Sequence, residues 1–439
     1  MKEDDLSSEG SLNKNSFDNK DLINIQRNNE DNQINEKVKI ENEDIIEINN
    51  EEKKSLSTTK FILVLLLLPL GELISTISFK IQQKFNSLEI YFQSHHFFPV
   101  LEILLGKFIC LLIFYIKKLV SKENNNNEVK RQPKTKYFVI LAILDILSNI
   151  IAIFNALLIN NSSPFQFLFI LIILSQILSI KLLKTKYFRY QFLAVFLSFI
   201  GLLMGEIKGM QIESNSGGYI VLGIILSIGA QASKSAHYIL EEKLLKEYNY
   251  STLKAIGLEG LWGFLIYIII LIIFQFISCD NWDTSIKETI CCNDNIDSYN
   301  SFRIENSIFA LNQIKCNTRI LYSTLIIFIG VILYNIALFN IFKYRSVILA
   351  ITLLGVINYI FLFIFASLAS NTQLNFSGIE FHWIQIIGFI FQILALLIYS
   401  QILVIPFCGL GKVKDTETKK IENRKSLLNI GLENEIEEK

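Results

Sequence analysis

The 439-residue chain is 51% hydrophobic and 19% charged, with 41 acidic and 41 basic residues, and its mean hydropathy is +0.40. That is too apolar for a typical water-soluble protein, and the zero formal charge gives no sign of a nucleic-acid partner. From residue 61 to 406, apolar runs of about 20 residues, each able to cross a hydrocarbon core of about 30 Å as a helix, alternate with polar joints. The runs are continuous, without the period-two alternation of a membrane β-barrel, so helices are expected.

Residues 1–59 are rich in Asp, Glu, Lys and Asn and hold no long apolar run. They read as a disordered polar tail. No secretory signal peptide is visible, and the first apolar run is long enough to serve as an insertion signal that stays. A D18-N-K-D-L-I23 stretch in the tail fits an acidic dileucine pattern, so Asp18, Leu22 and Ile23 are candidate contacts for a sorting adaptor. Residues 407–439 form a second polar tail.

Ten spans are predicted, at approximately 61–80, 97–116, 137–159, 165–183, 189–207, 217–240, 254–278, 319–342, 346–369 and 383–405. Joints after even-numbered spans are basic: Lys117, Lys118, Lys122, Lys130, Arg131, Lys134 and Lys136 follow the second, and Lys343 and Arg345 follow the eighth. The joints after the third and ninth spans carry no Lys or Arg. By the positive-inside rule both termini face the cytosol. Five plus five spans predicts an inverted repeat, residues 60–207 against 208–406, because an odd-numbered repeat must insert its second copy upside down.

Ionisable residues inside spans are costly and point to function. Glu72 follows Pro69 and Gly71, where a loosened helix can line a cavity. Glu102 and Lys107 are five residues apart and point from different faces. Asp145 precedes Asn149 by one turn and is a candidate counter-charge for Lys234. The sixth span is richest: Gln231, Lys234, His237 or Tyr238, and Glu241 recur along one helical face. Glu259 lies in the glycine run Gly257–Gly263, which suits close helix packing. Gln166 and Asn340 are further candidate solute contacts.

Cys279, Cys291, Cys292 and Cys316 share one loop, residues 279–318, on the non-cytosolic side. An oxidising lumen favours disulfides, and adjacent cysteines, about 3.8 Å apart at Cα, sit too close for the usual geometry. The expected bonds therefore join Cys279 to Cys291 or Cys292, and Cys316 to the other. The loop lacks His and C-x-x-C spacing, which argues against zinc. Cys110 and Cys408 are expected to be free. Sequons at Asn160, Asn161 and Asn375 face the lumen, and one at Asn249 falls in a cytosolic joint. No catalytic signature of a hydrolase, metalloprotease or nucleotide-dependent enzyme occurs, so neither an enzyme nor a resident cofactor or metal is expected.

The stretch A230-Q-A-S-K-S-A-H-Y-I-L-E-E-K243, with L253-K-A-I-G-L-E-G-L-W-G263 after it, resembles the drug/metabolite transporter superfamily. It is most similar to the lysosomal branch of the F subgroup of solute carrier family 35, which carries A-Q, L-E-E-K and G-x-E-G-x-x-G at matching spacing. S162-S-P-F-Q166, Asp145, F339-N340 and Q385-I-I-G-F389 resemble it too. The chain departs at Phe169 and Ile170, where the family places an Arg, and at His237, where it usually has Gln. The Cys-bearing loop resembles that of the chloroquine-resistance-type transporters, which have disulfides there. The resemblance implies a ten-helix inverted repeat and an endolysosomal or vacuolar membrane. The function expected is alternating-access transport of a small polar or charged solute. Protons are candidate co-substrates and a homodimer a candidate assembly. A Golgi or endoplasmic-reticulum nucleotide-sugar carrier is the alternative, and a non-transporting scaffold or receptor a second one.

Overall fold

The computed structural model describes residues 58–88, 95–120, 133–159, 167–206, 217–282, 291–294, 301–369 and 383–404. The tails, the sorting stretch, Gln166, Cys408 and the sequons at 160, 161 and 375 lie outside them. The elements in order are α1 (Thr58–Leu88), α2 (Phe98–Val120), α3 (Thr135–Ile159), α4 (Leu168–Leu178), α5 (Arg189–Glu206), α6 (Gly217–Glu247), α7 (Thr252–Phe276), β1 (Cys292–Asp294), β2 (Ser301–Arg303), α8 (Ser307–Cys316), α9 (Thr318–Tyr344), α10 (Val347–Ala369) and α11 (Trp383–Tyr399). α4 runs on into a wide π-turn, Ser179–Leu183, and stops where Lys184 takes a left-handed backbone (φ 54°).

Among the described residues, seven helices are long and apolar enough to cross a membrane: α1, α2, α3, α5, α7, α9 and α10. Leu168–Leu183 and α11 are shorter apolar helices. α6 is as long as α1, but its second half carries Lys234, His237, Glu241, Glu242 and Lys243, which dilute its apolar content. The outward surface is greasy, with Leu66, Leu119, Phe196, Val221, Ile225, Ile269, Ile329 and Ile390 all exposed. Apolar side chains facing outward around a bundle suit lipid as the solvent. The chain is thus an all-α integral, multi-pass membrane protein.

Helices approach through glycine. A Cβ on Gly260 would stand 2.6 Å from the Lys107 carbonyl carbon, and one on Gly263 2.7 Å from Leu104 Cδ2, so α7 lies directly on the α2 backbone. A Cβ on Gly330 would stand 2.7 Å from Ser75 N, which marks the crossing of α9 over α1. Gly201 and Gly388 do the same for α5 and α11, where Gln392 Nε2 also donates to Ser198 Oγ (2.9 Å) and the Thr352 carbonyl (2.9 Å). The main contacts are α1 with α9, α3 with α6, α2 with α7, and α5 with α11.

At the end bearing the Cys loop, an apolar cluster of Phe97, Val100, Leu104, Ile146, Tyr267, Leu271, Cys279, Cys291 and Ile304 seals the α2, α3 and α7 ends. Buried Glu305 accepts from the backbone N–H groups of Phe97 (3.0 Å) and Phe98 (3.2 Å), satisfying amides at the start of α2. β1 pairs antiparallel with β2, Cys292 opposite Arg303. Cys279 and Cys291 are joined, their Cα atoms 6.6 Å apart. Cys316 ends α8 as an exposed free thiol. The side chain of Cys292 is outside the described set.

Candidate solute cavity and its charge network

A cavity of about 440 Å³ is lined by α1, α2, α3, α4, α6, α9 and α10. Its size falls in the usual range for small-molecule sites. Glu72, Ser75 and Lys80 from α1, Asn149 from α3, Gln231 from α6 and Asn335 and Asn358 from α9 and α10 give it a mixed polar wall, with Phe79, Leu171, Phe339 and Phe361 between them.

The floor is a chain of ion pairs. Lys107 on α2 is almost wholly buried and donates to Asp145 Oδ2 of α3 (2.7 Å) and Glu259 Oε1 of α7 (2.8 Å). Asp145 Oδ1 accepts from Lys234 of α6 (2.9 Å) and from Asn149 Nδ2 (3.3 Å). His237 Nε2 lies 3.0 Å from Glu259 Oε1. Lys234 alone among these lysines and acids keeps about a quarter of its side chain open, towards the cavity, and its ammonium stands 5.3 Å from the Tyr238 ring centroid, a cation–π contact. Burying ions costs several kcal/mol each unless they are paired and hydrogen-bonded; here four helices supply that pairing.

Of the residues singled out from the sequence, Lys234, Asp145, Gln231, His237 and Glu72 come together on this cavity. Asn340 does not line it. It donates to the Ile336 carbonyl (2.6 Å) and accepts from Thr252 (3.3 Å), at the lysine-rich end of the bundle. At that end α6 is bonded to the start of α10 and the joint before it: Glu242 accepts from Val347 N (2.9 Å) and Lys246 (2.6 Å), and Lys246 also donates to the Arg345 carbonyl (2.6 Å). Glu102 faces away from Lys107, accepting from Gln82 and Thr324 at 2.9 Å each.

Two network members were not legible as site residues. Lys107 read as a stray cation in α2, and Glu259 as part of a packing motif. The signal was joint: the glycines that let α7 touch α2 are what bring Glu259 onto Lys107. Asp145, His237 and Glu259 also bring ligand atoms within 4.8 Å of one another, the spacing of a metal site. The Lys107 ammonium, bonded to both carboxylates, already supplies the cation between them.

No protein-family model matches the chain. Curated sequences do. The chain is similar to the solute carrier family 35 member F6 proteins. The Rattus norvegicus protein is 27% identical over 188 residues, 42% of this chain and 50% of that one. The Homo sapiens protein is 26% identical over 210 residues, 47% and 56% respectively. The matched region spans about half the length of these relatives. A solved structure described only as "Crystal structure of protein" overlays with a TM-score of 0.50 at 11% identity, covering 79% of this chain and 98% of that one, which shows a shared fold. The resemblance to the F subgroup of solute carrier family 35 is thereby shown, and the curated relatives are solute carriers, transporters rather than enzymes.

Proposed function

We propose that the chain is a secondary-active transporter that carries a small polar or charged solute by alternating access. The observation that carries this reading is the central cavity, walled by helices from both halves of the chain and floored by a buried, cavity-facing charge network. The packing pattern supports a 5+5 inverted repeat of ten spans. Matching each helix of residues 60–207 to its equivalent in 208–406 (α1 with α6, α2 with α7, α3 with α9, α4 with α10, α5 with α11) turns the α1–α9 contact into the α6–α3 contact. It maps the α2–α7 and α5–α11 contacts onto themselves. The four-helix ion network and the latch from Glu242 to the start of α10 close one end, so rocking of one half against the other would exchange which end is open. Lys234 holds an anionic group of the solute and Asp145 balances Lys234 when the cavity is empty. The basic joints put both termini in the cytosol, and the family branch favours an endolysosomal or vacuolar membrane over the Golgi.

The test is counterflow in proteoliposomes, using labelled amino acids, short peptides, nucleotides, nucleotide sugars and organic cations. One class entering only vesicles that contain the protein and the same unlabelled solute is the expected result. Folded protein that exchanges no member of the panel, and whose melting temperature none of them raises, would turn the reading towards a scaffold.

A further inference from the structure

Within the charge network below the cavity, Glu241 is the buried carboxylate that no ion pair accounts for. Glu241, on α6 one turn past His237, has no solvent exposure, and neither of its oxygens has a hydrogen-bond partner. It lies within electrostatic reach of the Glu259 and Asp145 carboxylates and of the Lys107 ammonium. α4 contains no ionisable residue and α10 only Tyr359, while α9 brings Tyr334 to the cavity wall.

The charges can be matched. Lys107 and Lys234 offset Asp145 and Glu259 one for one, so a single proton held on Glu241 or His237 makes the cluster neutral. His237 sits within hydrogen-bond distance of Glu259 through Nε2, and its Nδ1 is buried without a partner. An imidazolium would leave a buried N–H unsatisfied there, whereas the neutral ring donating from Nε2 leaves only a lone pair. The proton that neutralises the cluster therefore belongs on Glu241. A bare carboxylate in that place would carry an unpaired charge in a dry interior.

Resting on the transporter reading above, we propose that transport is proton-coupled and that Glu241 carries the coupling proton, with His237, which lines the cavity, standing between Glu241 and the solute. Loading forms the Glu241 O–H bond with a proton taken from water on one side. Release breaks that bond and returns the proton to water on the other side, leaving the carboxylate, so one proton crosses per cycle without any other reactant. Glu241 itself is not among the cavity-lining residues, so the solute and the proton occupy neighbouring but separate places.

The first arm is infrared spectroscopy of the purified full chain in lipid nanodiscs at neutral pH. A component of the protonated-carboxyl band that shifts in heavy water and is lost in Glu241→Gln is the expected result, since Gln mimics the protonated acid in size and charge. Should the Gln variant fail to fold, Glu241→Asp keeps the carboxyl and must move the band. Absence of the band in the wild type, or its persistence unchanged in Glu241→Gln, overturns the assignment. The second arm traps a pH-sensitive dye in proteoliposomes and adds the same solute panel. Wild-type vesicles should change internal pH as a solute enters, and Glu241→Gln vesicles should not, while still exchanging labelled for unlabelled solute. Equal pH changes in both, or solute entry with none in the wild type, refutes proton coupling and leaves the transporter reading standing. A carboxyl band with no solute flux of any kind refutes both, and makes Glu241 a structural acid.

Discussion

Lys107→Met is the sharpest test of the ion network. The replacement keeps most of the buried stem and removes the ammonium that stands 2.7 Å from Asp145 and 2.8 Å from Glu259. Removing one partner of a buried pair costs about 3–5 kcal/mol, because the other charge stays behind uncompensated. The loss should not fall evenly. Asp145 keeps Lys234 at 2.9 Å and Asn149 at 3.3 Å, whereas Glu259 keeps only His237 at 3.0 Å. Most of the cost therefore sits on Glu259, and Glu259→Gln added to Lys107→Met should recover the larger part. A coupling of about 0.5–3 kcal/mol is expected for residues in one network. Thermal melts of the four proteins in one detergent, followed by tryptophan fluorescence, complete the double-mutant cycle. A Lys107→Met protein that melts like wild type refutes the reasoning, and so does a double variant whose losses simply add.

Three further outcomes follow from the geometry. Lys234→Ala should insert and fold, because Asp145 is still bridged by Lys107, yet lose solute uptake; normal counterflow by this variant removes Lys234 from the site. Gly260→Val should cut the yield of folded protein sharply, since even its Cβ would press on the α2 backbone at Lys107 and Phe108, and overpacking costs about 1–3 kcal/mol; wild-type yield and melting would show that α2 and α7 are further apart than described. Peptide mapping without reductant should recover Cys279 linked to Cys291, while the exposed Cys316 takes up a membrane-impermeant maleimide in intact right-side-out vesicles or lysed lumen. Protection of Cys316 until reductant is added would restore the second disulfide.

Residues 61–406 announce their helices because lipid demands one thing of each segment separately: enough apolar length to cross, with backbone bonds satisfied locally. That demand is written in single runs such as Phe138–Leu158, so the helices were legible one at a time. The polar stripe of α6 was legible for the same reason, since Gln231, Lys234 and His237 are close on one helix whatever surrounds it. What no single run records is which helix faces which. Lys107 and Glu102 look alike in sequence, but one meets Asp145 and Glu259 and the other Gln82 and Thr324. Glu259 turned from a packing residue into an ion-pair partner only when Gly257, Gly260 and Gly263 brought α7 against α2. Asn340, singled out as a polar residue inside a span, came to rest at the lysine-rich end. The sequence by itself determined that the chain is built of long apolar helices and that α6 carries a run of polar residues, because both depend on local pattern. Only the tertiary structure decided which buried charges are paired and that Glu241 is left over, because pairing depends on contacts between helices far apart in the chain.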